Sequence, residues 1–511
     1  MIYLYSLLGP NFSYPNVRNV LCKTYLDNKK IKYKYVDYTV YFLNEILVDK
    51  NIKDIENIKH DIKDKSKDLL SANEKFIKVT KNYLSKFGII FNNNKSFDYK
   101  HHITSIDDFI EVSNEIKSFT DLFPIDKYKD EDIIFMNISF GFQIPMAIAL
   151  AKRIKKNNKN VKIIWNGNYL TQINKNCSEL IRKVKVVDAI TIFNHLNTFN
   201  NIIEYFKGKK VNLCNTIFKD KEYEIIRNIQ DDEKLYYLDY SDIDLNEYLS
   251  RDRIMPLLLN YGCYHGKCMF CSHSFQYGNY MKMNVRKTCE MVKRMYKENK
   301  FDSIVFVDEC IPPKVILDFS KYLVKNDIKT KWIIETRISP EYLDLEKVKL
   351  LVDGGCRFIS FGIESYNKRV LKLIDKGIDI KNVKGVLKNF YMNGVVVSAT
   401  FMVGYPGEKY FNMLRTLSFI NHFKYIDLFG LNVFVLARNS RICDSLEHDI
   451  SDINITYRYK NDNKEKLEEL VRKFKTGKKV NRVNVVKSKL LSRSDYLYLD
   501  KRDFSINYRE V

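Results

Sequence analysis

Along the second half of the chain, short β-rich apolar runs alternate with stretches whose apolar residues recur every three or four positions. That succession belongs to βα units with parallel strands. The runs Pro256–Gly262, Ser303–Asp308, Lys331–Thr336, Arg357–Glu364, Val395–Val403 and Tyr425–Phe434 predict strands. Amphipathic stretches at Val285–Glu298, Lys314–Val324, Leu345–Val352, Ile380–Met392 and Lys409–His422 predict the helices between them. Six strands joined in this way predict an α/β fold, an open or partial (β/α)6 barrel with its chemistry at the C-terminal ends of the strands.

The first half changes rhythm. A strand at Met1–Leu7, a loop with Gly9 and Pro10, a helix and a second strand around Lys32–Tyr38 open it. Later, DIIFMNISFGFQIPMAIALAKRIKKNNKNVKIIWNGNYLTQI gives strand, helix, strand and an Asn166-Gly167-Asn168 turn. This order predicts a doubly wound, Rossmann-like domain over residues 1–225, with ligands beyond the carboxyl ends of its strands. A polar stretch near 49–130, helical in pattern at Lys63–Lys86, reads as a solvated helical insertion. Residues 226–254 form a linker, 255–440 the barrel and 441–511 a C-terminal α/β extension. In that extension Asn463–Lys475 looks helical and LSRSDYLYLDKRDF alternates like a strand.

The loop after the first barrel strand carries candidate chemistry. In YGCYHGKCMFC, Cys263, Cys268 and Cys271 fall within nine residues. Three thiolates aimed at one point can hold a four-iron, four-sulfur cluster and leave one iron without a protein ligand. The same knuckle suits a closed tetrahedral zinc site if His265 or His273 supplies the fourth ligand.

With its downstream motifs in order, the barrel resembles the radical S-adenosylmethionine (SAM) superfamily over about 180 residues. FVDECIPP follows the second strand, TRIS the third, FGIESYNKRVLKLIDKG the fourth and FMVGYPGE the fifth. The spacing CxxxxCxxC departs from the commoner CxxxCxxC. The resemblance implies a cluster on the three cysteines whose open iron binds the amino and carboxylate groups of SAM, and reductive cleavage of the sulfonium to a 5′-deoxyadenosyl radical.

It also implies roles for individual residues. Asp308 and Glu309 fall where family members offer acids to the SAM ammonium, and Glu364 where they contact SAM, often its ribose. Arg337 and Arg369 are candidates for the SAM carboxylate, for which a guanidinium fork is suited. Gly404 lets backbone approach a ligand, and Phe270 is a candidate to pack on adenine. Each has an ordinary alternative: a solvated turn or helix cap for Asp308 and Glu309, a buried structural carboxylate for Glu364, a surface ion pair for the arginines, a turn for the glycine and core packing for the phenylalanine.

The N-terminal domain resembles the cobalamin-binding domain that precedes many radical SAM barrels, around Ser139, Gln143, Ala147–Lys152 and the Asn166-Gly167-Asn168 turn. The chain has no DxHxxG motif, so no histidine ligand to cobalt carries over, and AITIFNHLN stands where relatives commonly have a Glu-Gly-Glu turn. Two readings stay open: cobalamin-dependent methyl transfer to carbon, or a cobalamin-independent rearrangement, cyclisation or peptide modification. The substrate is a small molecule or peptide, and an electron donor such as flavodoxin or ferredoxin is implied.

Composition adds little to this. A net charge of +22 could mark a nucleic-acid binder, yet lysine is spread along the whole chain and the densest basic run, KTGKKVNRVNVVKSK, reads as a solvated face. Nucleic acid is therefore not expected as a partner, although a zinc-stabilised protein docking nucleic acid or an acidic partner remains the alternative from another class. Cys22, Cys177, Cys214, Cys289, Cys310, Cys356 and Cys443 are scattered, unlike a secreted disulfide framework. The N-terminus does not read as a signal peptide, and no apolar run reaches the roughly 18 residues of a membrane span, so a cytoplasmic location without membrane contact is expected.

Overall fold

The computed structural model describes residues 1–475, 490 and 493–498, apart from 10, 50–53, 93–95, 194, 228–231, 279, 450, 458 and 460–463. The basic run from residue 476 onward lies outside the described residues. The chain forms two compact units: Met1–Arg251 with Phe275–Asn279 and Ile450–Ile455, and Asp252–Ser274 with Tyr280–Asp449 and Thr456–Val511.

In the first unit, strands β1 (Ile2–Ser6), β2 (Tyr33–Asp37), β3 (Ile133–Asn137), β4 (Lys162–Asn166), β5 (Ala189–Thr191) and β6 (Thr216–Ile217) form a sheet in the order β2-β1-β3-β4-β5-β6. All neighbours are parallel except β5 and β6. Every residue of β1 and β3 is buried. Strands covered on both faces read as continuous apolar runs, which is why IYLYS and IIFMN show no alternation. Strand order reverses between β1 and β3, so the crevice beyond their carboxyl ends is the ligand position of a doubly wound sheet. The helix Gln143–Asn157 buries Ala147, Leu150, Ala151 and Ile154.

The polar insertion is helical but broken. Ile55–Lys63 ends where Asp64 accepts from Ser66 N, and Asp68 caps a new helix, Leu69–Ser85, by accepting from Leu70 N. The predicted helix over 63–86 thus starts late, because two aspartates compete for backbone amides at its first turn.

The second unit contains six parallel strands among its described residues: β7 (Ile254–Leu257), β8 (Ser303–Phe306), β9 (Lys331–Thr336), β10 (Cys356–Glu364), β11 (Val396–Val403) and β12 (Leu428–Val433). They pair in chain order, with β7 and β12 at the two edges of an open barrel. Helices Val285–Lys297, Pro313–Lys325, Leu345–Asp353, Ile380–Met392 and Tyr410–His422 alternate with the strands. Phe306 packs edge-on against Phe319 and Trp332, and the buried Trp332 indole donates to Gly354 O at 2.7 Å. Burying a side chain of this size contributes about 2–3 kcal/mol.

Two features depart from regular geometry. Between Gly362 and Glu364 the register of β10 against β11 shifts, and Glu364 has a left-handed φ of 67°. At the C-terminus, Lys464–Lys475 is helical, but Arg493–Tyr498 is a 3₁₀ turn and not the predicted strand. In a 3₁₀ turn residues three apart share a face, which lets Arg493 and Tyr496 meet the barrel together: Arg493 pairs with Glu335 at 3.2 Å, and the Tyr496 ring stacks on Phe358 with centroids 4.5 Å apart.

Candidate active site

The cysteine loop leaves β7 under tight backbone control. Asp308, just past β8, is 3% exposed and accepts from Leu259 N at 3.0 Å and Asn260 N at 2.7 Å. Asn260 Nδ2 in turn donates to Gly262 O at 2.8 Å and Cys310 O at 3.2 Å. Positive φ at Gly262 and Gly266 turns the chain on either side of Cys263. Met269 N donates to Ile374 O at 3.0 Å, and Ile442 N to Met269 O at 3.0 Å, so the segment between Cys268 and Cys271 is pinned from two sides.

The three cysteines are half-buried and electrostatically unequal. A hydrogen bond from Cys310 pulls the Cys263 thiol down to about 5, with the amides of Gly266 and His265 and the Arg337 charge adding to it. Burial pushes Cys271 up to about 12, and raises Cys268 as well. Both histidines near the loop are engaged. His265 Nε2 lies 2.8 Å from Asp375 O, and since a carbonyl only accepts, that nitrogen carries the proton. His273 Nδ1 is paired with Glu309, which outweighs burial and raises the ring above its usual value. Among the described residues, the set of three ligand atoms close enough for one ion is His101, Glu111 and Glu115, and the cysteine trio is not in it.

Arg337 follows β9 and is 7% exposed. Its Nη2 donates to Lys376 O, its guanidinium lies over the Tyr264 ring at 5.9 Å, and its buried Nη1 has no hydrogen-bond partner. An orphaned cationic donor costs several kcal/mol in a dry site. Next to the cysteine loop, a carboxylate ligand would satisfy it in the bidentate geometry that guanidinium favours.

Opposite it, Glu364 pairs with Lys376 at 3.1 Å. Burial disfavours the Lys376 charge, but Glu364 outweighs this and holds the ammonium above its usual value. Lys376 Nζ also sits 5.8 Å from the centre of the Phe270 ring, and Phe270 packs on the cluster of Val370, Leu371 and Ile374. Lys376 was not singled out from the sequence. Its only signal there is its place in the LIDKG tail of the fourth motif.

The remaining candidates divide. Glu309 is partly buried against His273, whereas Arg369 is exposed on the short helix Lys368–Leu373. Gly404 has φ 81° and donates its amide to Glu408 at 2.7 Å, and a Cβ there would meet Leu467 at 2.8 Å. Inside the barrel, Glu335, Ser360, Ser398 and Thr400 line a cavity of about 170 Å³ closed by Arg493 and Tyr496.

In the first unit, the loops after β3 and β4 are rich in amides. Ser139 Oγ donates to Asn137 at 2.8 Å, Asn137 Nδ2 to Asn166 at 3.2 Å, and Gln143 accepts from the amides of Ser139 and Phe140. Asn168 Nδ2 donates to Tyr277 at 3.2 Å. Gly167, at φ 129°, lies so close to Ile138 O that a Cβ would fall 2.1 Å from it. The structure therefore brings Ser139, Gln143, Asn166, Gly167 and Asn168 together at the switch-point crevice. Neutral amide donors and acceptors of this kind fit the carboxamide rim of a corrin.

The family model for the Radical SAM superfamily matches residues 257–420. The barrel is a radical SAM domain. A protein called uncharacterized methyltransferase PH0819, from Pyrococcus horikoshii, is 24% identical over 314 residues, 59% of this chain and 66% of that one. The chain thus spans just under two thirds of this relative's length. Two solved structures share the fold. TsrM from Kitasatospora setae, a radical SAM methyltransferase with tryptophan and a SAM analogue bound, has a TM-score of 0.58 at 11% identity, covering 86% of this chain and 75% of TsrM. OxsB, a cobalamin-dependent SAM radical enzyme with aqua-cobalamin and SAM bound, has a TM-score of 0.62 at 13% identity, covering 93% of this chain and 66% of OxsB. Residues 257–420 are accordingly a radical SAM domain, a match that implies a four-iron cluster and SAM as cofactors, and the chain shares the fold of TsrM and OxsB.

Proposed function

We propose that the protein cleaves SAM reductively at a four-iron, four-sulfur cluster to functionalise an unreactive C–H bond, with cobalamin-dependent methyl transfer to carbon as the outcome. With cluster, SAM and cobalamin bound, the cofactors supply the electron, the deoxyadenosyl radical and the methyl group. The chain's own residues hold and orient them. Cys263, Cys268 and Cys271 hold three irons; Arg337 takes the SAM carboxylate on its orphaned Nη1; Glu309 receives the SAM ammonium; and Glu364, fixed by Lys376, faces the ribose. Asp308 acts one step back, by fixing the amides that start the cysteine loop. Phe270 is the candidate adenine platform and Gly404 lies on the same rim, while Arg369, on the exposed helix, has the least support.

The observation that carries the reading is the buried, unpartnered Arg337 Nη1 beside the three-cysteine loop. The methyl-transfer half rests on the amide-rich crevice of Ser139, Gln143, Asn166, Gly167 and Asn168 and on the methyltransferase names of relatives. A small molecule or a peptide side chain as substrate fits the barrel cavity, whose mostly apolar lining carries Glu335, Ser360, Ser398 and Thr400. Flavodoxin or ferredoxin is the expected electron donor: a net charge of +22 steers a small acidic protein toward this one. Among the described residues no helix is long and apolar enough to cross a membrane, and the cytoplasm is the proposed location.

Anaerobic reconstitution with iron and sulfide, then metal, cobalamin and 5′-deoxyadenosine analysis, tests this. About four irons per chain, one cobalamin, and 5′-deoxyadenosine formed by the wild type but not by Cys268→Ala are expected. Zinc without iron, and no cleavage, would overturn the enzyme reading. A full cluster without cobalamin would overturn methyl transfer alone.

A further inference from the structure

Four large apolar side chains stand exposed on neighbouring elements of the second unit. Leu373, the last residue of the short helix Lys368–Leu373, is 38% exposed, and Tyr410, Phe411 and Leu414, at the start of Tyr410–His422, are 60%, 63% and 42% exposed. Residues three and four apart share a helix face, so the last three form one stripe. Two contacts set the two helices side by side: Asn367 Nδ2 donates to Asn412 at 3.1 Å, and a Cβ at Gly407 would fall 3.7 Å from the Leu373 side chain. Lys368, Arg369, Lys372, Lys409 and Arg415 flank the patch, all of them exposed and, among the described residues, none of them in an ion pair. Exposed apolar patches with a polar rim mark interaction sites. This one borders the cysteine loop: Ile374 O, next after Leu373, accepts from Met269 N at 3.0 Å, and Met269 directly follows Cys268.

We propose that this face docks the protein's reductant, a small acidic carrier protein that passes one electron to the cluster. The proposal rests on the cluster reading of the three cysteines. In the step, the reduced carrier loses one electron and the oxidised cluster gains it, and no bond forms or breaks. An acidic carrier complements the basic rim, whereas a second copy of this chain, at net charge +22, would set like charges against each other. Electron transfer weakens steeply with distance, so a place beside the Cys268 segment favours a carrier over a lipid surface, for which that proximity has no use. Electron-transfer encounters are also small, burying less than about 1,200 Å², and a four-residue apolar centre with a charged rim is of that kind.

The test is cluster reduction in the full-length, iron- and sulfide-reconstituted protein, followed by stopped-flow absorbance with reduced flavodoxin, with reduced ferredoxin, and with photoreduced deazaflavin as an uncharged small reductant. The variant Lys368→Glu/Lys372→Glu/Lys409→Glu is compared with Lys314→Glu/Lys321→Glu/Lys325→Glu, which makes the same change of net charge at exposed lysines of the helix Pro313–Lys325. At low salt at least one carrier should reduce the first variant about tenfold more slowly than wild type and the second at close to the wild-type rate. The difference should shrink at about 0.5 M salt, where exposed charges are screened. Phe411→Ser should slow the same carrier severalfold at high salt too, because its contribution is apolar. Deazaflavin should reduce every variant at the wild-type rate, with iron content retained. Equal slowing of the two triple variants, or no slowing of the first, overturns the inference. So does loss of iron or of deazaflavin-driven reduction in Phe411→Ser, which would make the face a support for the cysteine loop, and so does a wild type that deazaflavin reduces but neither carrier does. Self-association or binding to phosphatidylserine vesicles that Phe411→Ser abolishes, with carrier rates unchanged, gives the face another occupant and overturns it as well. Absence of a cluster in the wild type overturns the underlying reading instead.

Discussion

Glu364 and Lys376 form an ion pair at 3.1 Å with side chains only 14% and 8% exposed, at the bulged end of β10 where Glu364 adopts a left-handed backbone. A non-glycine residue in that region costs on the order of 1–3 kcal/mol and persists where its surroundings hold it. Removing either partner leaves a buried charge without its counter-ion. Lys376→Met should therefore lower the unfolding free energy by about 3–5 kcal/mol, while Lys376→Met with Glu364→Gln should recover much of that loss. Urea denaturation of the two variants checks this, and a single-variant loss below about 1 kcal/mol would show that the pair is not desolvated.

Arg337 carries a sharper expectation for ligand binding than for stability. Its Nη1 is buried and has no hydrogen-bond partner, so Arg337→Ala removes that orphan along with the proposed ligand contact. SAM affinity of the reconstituted protein should fall ten- to a hundredfold, about 1.4–2.8 kcal/mol. Arg337→Lys should rescue poorly, because an ammonium cannot make the paired hydrogen bonds of a guanidinium. Calorimetric titration with SAM decides it: unchanged affinity in Arg337→Ala would remove this residue from the site.

Burial raises the Glu408 carboxyl to about 7 from an ordinary value near 4.5, even though the Gly404 and Tyr405 amides pull it down. A raised acid binds its proton more tightly when folded. Its contribution to stability is fully present below about pH 4.5 and is lost as pH rises toward 7, by up to about 3 kcal/mol at roughly 1.4 kcal/mol per pH unit. Glu408→Gln should flatten the stability profile across that window. An unchanged slope between pH 5 and 7 in the variant would show that Glu408 titrates normally.

The barrel was legible because parallel strands buried on both faces leave uninterrupted apolar runs between polar helices. Lys331–Thr336 was read to the residue, and the other five strands within a few positions. The three cysteines stood out by their spacing, but spacing alone left zinc and cluster both open, and only the downstream motifs favoured the cluster. What partners a side chain finds was not. Asp308 and Glu309 are adjacent and chemically alike, yet one accepts from two amides inside the loop and the other pairs with His273. Lys376 gave no signal beyond its motif, because its role depends on a bulge that brings Glu364 to it. Within the alternating tail run, Arg493–Tyr498 was misread as a strand because alternation cannot distinguish a strand from a short turn whose every third residue meets a surface.

That turn closes one wall of the barrel cavity through the Tyr496–Phe358 stack and the Arg493–Glu335 pair. The two contacts differ in weight. Tyr496 is half-buried and stacked at 16°, so Tyr496→Ala should cost about 1–2 kcal/mol, from lost burial plus the aromatic pairing. Arg493 and Glu335 are about half exposed, and a double-mutant cycle on that pair should return less than about 1 kcal/mol. Because the tail lines the middle of the barrel and not the cysteine loop, 5′-deoxyadenosine formed without added substrate should stay within about twofold of wild type in Tyr496→Ala, even as the cavity widens. A tenfold fall in that uncoupled cleavage, with iron content retained, would mean that the tail supports the SAM end of the barrel and not the wall where substrate is expected.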